Sequence, residues 1–149
     1  MTLLENIAML TVKNSRIPGS GKGLFTDKSI KKDETIIEYK GDKLTWSEVQ
    51  KRYKKDILDA NYLFWVGPNH WIDAELTLRA KARYANDAKG FNKVKHLRNN
   101  AEYQVIKNVP YIVATKNIEP DSEILVDYGD DYWRYLKRKH EPVAASKKK

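Results

Sequence analysis

The sequence predicts a mainly β domain with some α structure: several small sheets of short strands, and one helix inserted early. Three observations carry this prediction. Short runs rich in β-branched and aromatic residues recur along the chain, bounded by Gly, Pro, Asn and Asp. One segment after Thr45 combines a helix start signal with helical apolar spacing. No alternation of strands with helices points to a parallel nucleotide-binding sheet, and no repeat is visible.

In chain order, Ala8 to Lys13 reads as a strand before the turn-rich Ile17-Pro18-Gly19-Ser20-Gly21-Lys22-Gly23. Leu24-Phe25-Thr26 resumes extended structure. Thr35 to Tyr39 is a further strand, ended by Lys40-Gly41-Asp42. Thr45 then caps a helix over about 45–58, and Glu48 completes a capping box. Trp46, Val49, Tyr53, Ile57 and Leu58 form its apolar face, while Lys51, Arg52, Lys54 and Lys55 crowd the other. Tyr62 to Val66 and Trp71 to Asp73 read as strands about a Gly67-Pro68-Asn69 turn. Leu76 to Tyr84 reads as a brief helix, and Asp87 to Asn99 as a basic loop insertion. Three strands follow, at Glu102 to Ile106, Tyr111 to Ala114 and Ile124 to Tyr128. The domain is expected over 1–136, with a basic, disordered tail over 137–149.

Composition narrows the function classes. A chain of 149 residues suits one compact domain. It contains no cysteine, which excludes disulfides and cysteine-ligated zinc and fits a reducing intracellular compartment, cytoplasm, nucleoid or nucleus. His70, His96 and His140 show no ligand spacing, so no metal is expected. Glu5 stands where a secretory signal would be basic, and no apolar run approaches a membrane span. Most of the formal charge of +8 falls from Lys137 onward, where it suits non-specific contact with nucleic acid or simple solubility.

Two motifs mislead when taken singly. The glycines at 19, 21 and 23 suggest a phosphate loop, but a strand follows them instead of a helix, and no Gly-Lys-Ser/Thr is present. Tyr128-Gly129-Asp130-Asp131 also occurs in two-metal polymerases, which need further acidic ligands and several subdomains. The ordered set is more informative. Gly21 and Gly23, Tyr39-Lys40-Gly41, Tyr62-Leu63-Phe64 with Ile72-Asp73-Ala74, Arg83-Tyr84-Ala85-Asn86, Asn100-Ala101 and Glu123 to Tyr128 resemble, in order, the motifs of SET-domain protein-lysine methyltransferases. The match spans roughly Ala8 to Trp133.

The resemblance implies a SET fold with a knot-like C-terminal segment, and S-adenosylmethionine as methyl donor. It implies Tyr128 as the catalytic tyrosine. It assigns cofactor contacts to Gly21, Lys22, Gly23, Leu24, Tyr62, Arg83, Asn86, Asp87, Tyr128 and Trp133, and a substrate-lysine channel to Tyr39, Tyr103 and Val126. Trp133 or Tyr132 closes the site in place of a zinc-binding segment. Val126, two before the tyrosine, leaves room, while Tyr103 restricts, which implies monomethylation with some dimethylation. The implied partner is a protein carrying the target lysine, histone-like or ribosomal, and the chain is a monomer or homodimer. One departure stands out: Asp87 occupies the position of the family's histidine. A catalytically silent SET-like module, docking on nucleic acid or on a protein, is the alternative.

The residue types suit the chemistry. Methyl transfer from a sulfonium to an amine is a direct displacement, and alignment alone is worth about 7–11 kcal/mol. An apolar, aromatic-walled channel next to positive charge favours the neutral, reactive amine. Tyrosines line such a channel with their rings and orient the amine with their hydroxyls. No nucleophilic side chain is needed, and no Ser/His/Asp or Cys/His arrangement is apparent.

Overall fold

A computed structural model describes residues 9–90 and 93–129. The elements in chain order are β1 (Leu10–Asn14), β2 (Lys22–Thr26), β3 (Thr35–Glu38), β4 (Asp42–Leu44), helix α1 (Trp46–Arg52), β5 (Leu63–Gly67), β6 (His70–Asp73), β7 (Ala101–Ile106), β8 (Val109–Ala114) and β9 (Glu123–Ile124). They form three antiparallel sheets of three strands, in the orders β1-β2-β9, β3-β8-β7 and β4-β6-β5. Each sheet is too small to bury a face alone, so their apolar faces share one core. Leu24, Ile36, Ile72, Ile112, Ile124 and Val126 meet there, all nearly inaccessible to solvent. The mainly β architecture read from the sequence is the one observed. Tyr132, Trp133 and the basic tail at 137–149 lie outside the described residues. Among the described residues no helix is long and apolar enough to cross a membrane.

Local chemistry explains most boundaries. The turn between β1 and β2 closes with Ser15 N–H donating to the Gly21 carbonyl at 2.8 Å, and Gly21 adopts a φ of 65° that favours glycine. Lys107 and Asn108 both take positive φ in the two-residue turn that joins β7 to β8. The capping box of α1 forms as the sequence indicates: Glu48 N–H donates to Thr45 Oγ1, and Thr45 N–H to Glu48 Oε1. The Thr45 backbone and side-chain hydrogen bonds hold the Glu48 carboxyl below its ordinary value.

Two helical elements differ from expectation. The helix ends at Arg52 instead of running to 58. The fully buried Asp73 captures its last turn, accepting from Tyr53 Oη at 2.5 Å and from Arg52 Nη1 at 3.1 Å. Asp56 then caps a separate 3₁₀ turn, Ile57–Asp59, which leaves Ile57 exposed. The brief helix expected over Leu76 to Tyr84 shrinks to a 3₁₀ turn at Lys81–Tyr84. Arg83 reaches back to the carbonyls of Ala74 and Glu75, folding the segment on itself, and Leu76 and Leu78 stay in solvent.

Burial, and then the bond to Asp73, pushes the Tyr53 hydroxyl well above its ordinary value. Its folded value exceeds its unfolded one, so its stabilisation is complete below about pH 10 and declines as pH rises further. Tyr53→Phe is expected to cost about 1.5–3 kcal/mol at neutral pH, as for a hydrogen bond to a charged group. Denaturant melts at neutral pH and above pH ~10 should show the wild-type advantage shrinking in the alkaline series.

The last strand is shorter than expected, because the chain leaves the sheet to thread between two segments. After β9, Leu125 and Val126 form parallel bridges to Asn86 and Ala101. Val126 N–H donates to the Asn86 carbonyl at 2.8 Å. The Asn100 side chain acts as an extra strand edge, donating to the Glu123 carbonyl and accepting from Leu125 N–H, both at 2.9 Å. This threading brings residues 123–128 against residues 85–101.

Candidate active site

Tyr128, at the end of the threaded segment, forms one wall of a cavity of about 620 Å³. The turn from Ile17 to Lys22, the start of β5, the stretch from Arg83 to Asp87, and Tyr39 and Tyr103 complete its lining. That volume lies within the usual range for a small-molecule site. The cavity has two ends of different character.

One end is aromatic. Tyr39, Phe64 and Tyr103 pack together, with centroid distances of 5.7 Å (Tyr39–Phe64), 5.9 Å (Tyr39–Tyr103) and 5.1 Å (Phe64–Tyr103). Tyr103 stacks on Tyr128 at 6.5 Å. These are favourable tilted, edge-on and offset arrangements. Tyr39 Oη donates to the Tyr62 carbonyl at 2.8 Å, which locks β5 to the strand end at Tyr39. Tyr128 Oη donates to the Ala85 carbonyl in a short hydrogen bond, and Tyr128 N–H donates to Asp87 Oδ2 at 2.8 Å.

The other end is polar. Gly21 and Lys22 present the turn, and Lys22 Nζ donates to Asn14 Oδ1 at 2.9 Å. Asn86 Nδ2 donates to the Lys22 carbonyl at 2.9 Å and lies 3.4 Å from Glu123 Oε2. The Arg83 guanidinium stacks 3.9 Å from the Tyr62 ring centroid while its Nε binds the Ala74 carbonyl. Beyond the threaded segment, Lys89 Nζ pairs with Asp127 Oδ2 at 2.9 Å. That bond, followed by the Gly129 N–H, holds the Asp127 carboxyl below its ordinary value.

The cavity thus gathers Gly21, Lys22, Tyr39, Tyr62, Arg83, Asn86, Asp87, Tyr103 and Tyr128 around one space. Three residues expected at the site stand behind its wall instead. Leu24 and Val126 are buried in the main core. Gly23 is buried against Glu123, where a Cβ would overlap the carboxylate. Glu123 is in turn held by Ser15 Oγ and Arg16 N–H, so the carboxylate that a Cβ at Gly23 would meet is fixed in place. Phe64 and the Ala85 carbonyl were quoted within motifs but given no site role from sequence. Phe64 sat in an expected strand with no sign of its facing, and a backbone acceptor leaves no trace in residue type.

A family model described as SET domain matches residues 21–129, and the chain belongs to this family. The fold agrees: the methyltransferase domain of human PR domain-containing protein 2 superimposes with a TM-score of 0.59 at 25% identity, over 81% of this chain and 77% of that one. Among curated relatives, the histone-lysine N-methyltransferase Set8 of Drosophila melanogaster is 30% identical over 75% of the chain and 16% of its own length. The N-lysine methyltransferase KMT5A-A of Xenopus laevis is 28% identical over 80% of the chain and 36% of its own length. The chain therefore spans only a minor part of these relatives.

Proposed function

We propose that this domain transfers a methyl group from S-adenosylmethionine to the side-chain nitrogen of a lysine in a protein substrate. The observation that carries the reading is one cavity lined by both polar and aromatic groups, with Tyr128 touching Tyr103 on one side and the Ala85 carbonyl on the other. The naming of its relatives as lysine methyltransferases supports the same chemistry.

The donor set fits a sulfonium cofactor with an amino-acid end and a nucleoside end. Lys22 and Arg83 suit its carboxylate, the Gly21 turn and Asn86 its amino end, and Tyr62 and the Asp87 backbone its remaining faces. When bound, this group supplies an electrophilic methyl. The chain's own work is to deliver a neutral amine in line with it. Tyr39, Phe64 and Tyr103 exclude water from the lysine stem. Their apolar walls and the nearby positive charge depress the amine pKa. The Tyr128 hydroxyl, donating to Ala85, presents its oxygen as an acceptor for an amine N–H.

We assign the substrate to basic, histone-like proteins and the setting to the cell interior, on the names of the relatives and the absence of cysteine. The test is transfer of labelled methyl from S-adenosylmethionine to core histones, with cofactor affinity measured in parallel by calorimetry. Label on lysine establishes the activity. Cofactor binding without label on histones or in a whole-cell lysate favours a silent module.

Tyr103 narrows the aromatic end beside Tyr128. Tyr103→Phe is expected to shift products from monomethyl toward dimethyl and trimethyl lysine, as read by mass spectrometry. An unchanged product ratio removes Tyr103 as the gate.

A further inference from the structure

Asp87 is 3% exposed, yet its carboxylate is satisfied on both oxygens. Oδ2 accepts the Tyr128 N–H at 2.8 Å, and Oδ1 accepts the Lys89 N–H and Asn99 Nδ2, each at 2.8 Å. The Asn99 Oδ1 is itself held by the Ala88 N–H at 2.8 Å. Tyr128 lies beyond β9 and its parallel bridges, so this carboxylate supplies the backbone bond that no strand offers. Two residues earlier, the Ala85 carbonyl accepts the Tyr128 hydroxyl. The stretch from Ala85 to Asp87 therefore grips Tyr128 at both ends, backbone and phenol, and sets where its ring stands.

We propose that Asp87 is a positioning residue for Tyr128, a role that rests on the reading of Tyr128 as the residue at the reacting nitrogen. The Tyr128 N–H, the Lys89 N–H and Asn99 Nδ2 all donate to the Asp87 side chain, and an ionised carboxylate is the side chain that only accepts. An asparagine of the same shape turns an NH₂ toward an N–H on one side or the other. Such bonds to a charged acceptor are the strong ones, and Asp87 has little solvent to replace them. A shift of about 1 Å in a catalytic group is enough to cost roughly a hundredfold in rate.

The test compares the full chain with its Asp87→Asn, Asp87→Asn/Asn99→Asp and Tyr128→Phe variants. Asp87→Asn is expected to lower kcat for histone methylation by about a hundredfold, with the histone KM and the S-adenosylmethionine Kd changing by less than about threefold. Hydrogen exchange at the Tyr128 amide, followed by NMR without cofactor, should quicken in the same variant by about tenfold or more. Adding Asn99→Asp returns a carboxylate opposite the new amide, lets its carbonyl turn to Tyr128, and should recover about tenfold of the lost kcat. Unchanged exchange with unchanged kcat overturns the proposal. So does cofactor affinity falling in step with kcat, which would make Asp87 part of the cofactor wall. Full activity in Tyr128→Phe overturns the reading of Tyr128 beneath it. Loss there with an unaffected Asp87→Asn overturns the positioning role alone.

Discussion

Tyr128→Phe is expected to leave a folded protein that has lost methyl transfer. The ring keeps its stack on Tyr103 and its backbone bond to Asp87, so the aromatic wall survives. What disappears is one hydroxyl and its bond to the buried Ala85 carbonyl. Leaving that carbonyl unsatisfied costs about 1–2 kcal/mol of stability. The expected loss of rate is much larger, roughly a hundredfold or more, since the hydroxyl orients the nucleophile in a step that depends on alignment. Methyl transfer, thermal melting and cofactor calorimetry on one preparation separate the two effects. A variant that melts a few degrees lower yet turns over at the wild-type rate would falsify the assignment of Tyr128.

Gly41→Ala is expected to be strongly destabilising. A Cβ at Gly41 would lie 2.5 Å from the Asp73 carbonyl oxygen, 2.6 Å from its carbon and 2.8 Å from the Ala74 nitrogen. All three are backbone atoms, so no side chain can swing aside. The chain entering β4 has to move away from β6, and that loosens Asp73 from Arg52 and Tyr53. Overpacking of this kind costs about 3 kcal/mol. For a domain of this size that lowers Tm by about 10 °C. Gly67→Ala is the matched control: nothing lies within 4 Å of a Cβ there. It should be neutral or slightly stabilising, by up to about 1 kcal/mol. Equal melting temperatures for the two variants would refute the close-approach argument.

The legible parts of this chain were those written in local chemistry. The capping box at Thr45 and Glu48, the turns at Gly21 and Gly67, and the runs that became β3, β5, β6, β7 and β8 were all apparent from neighbours in sequence. What escaped was decided by residues far away. Helix α1 stops because Asp73, more than a turn beyond any local signal, binds Tyr53 and Arg52. The stretch after Leu76 is diverted by Arg83 bonding backwards to Ala74. At the site, the tyrosines and glycines stood out as residue types, whereas the inward facing of Phe64 and the buried stations of Leu24 and Val126 depend on how three sheets meet. Asp87 read as a departure from the family pattern, and only the donors around its carboxylate show what it holds.

The threading also divides the cavity between distant stretches of the chain. The turn at Gly21, the aromatic Phe64, Arg83 and Tyr103 all precede the exposed Lys107-Asn108 turn, and Tyr128 follows it. The piece after the turn contributes Tyr128 to the lining, and the piece before it the other residues. The two sheets that lack β9 are complete by Ala114, so β9 and Tyr128 are the last of the described elements of this wall to be synthesised. Severed at that turn, the molecule would be a two-part device whose pocket gains its Tyr128 wall only when the halves meet.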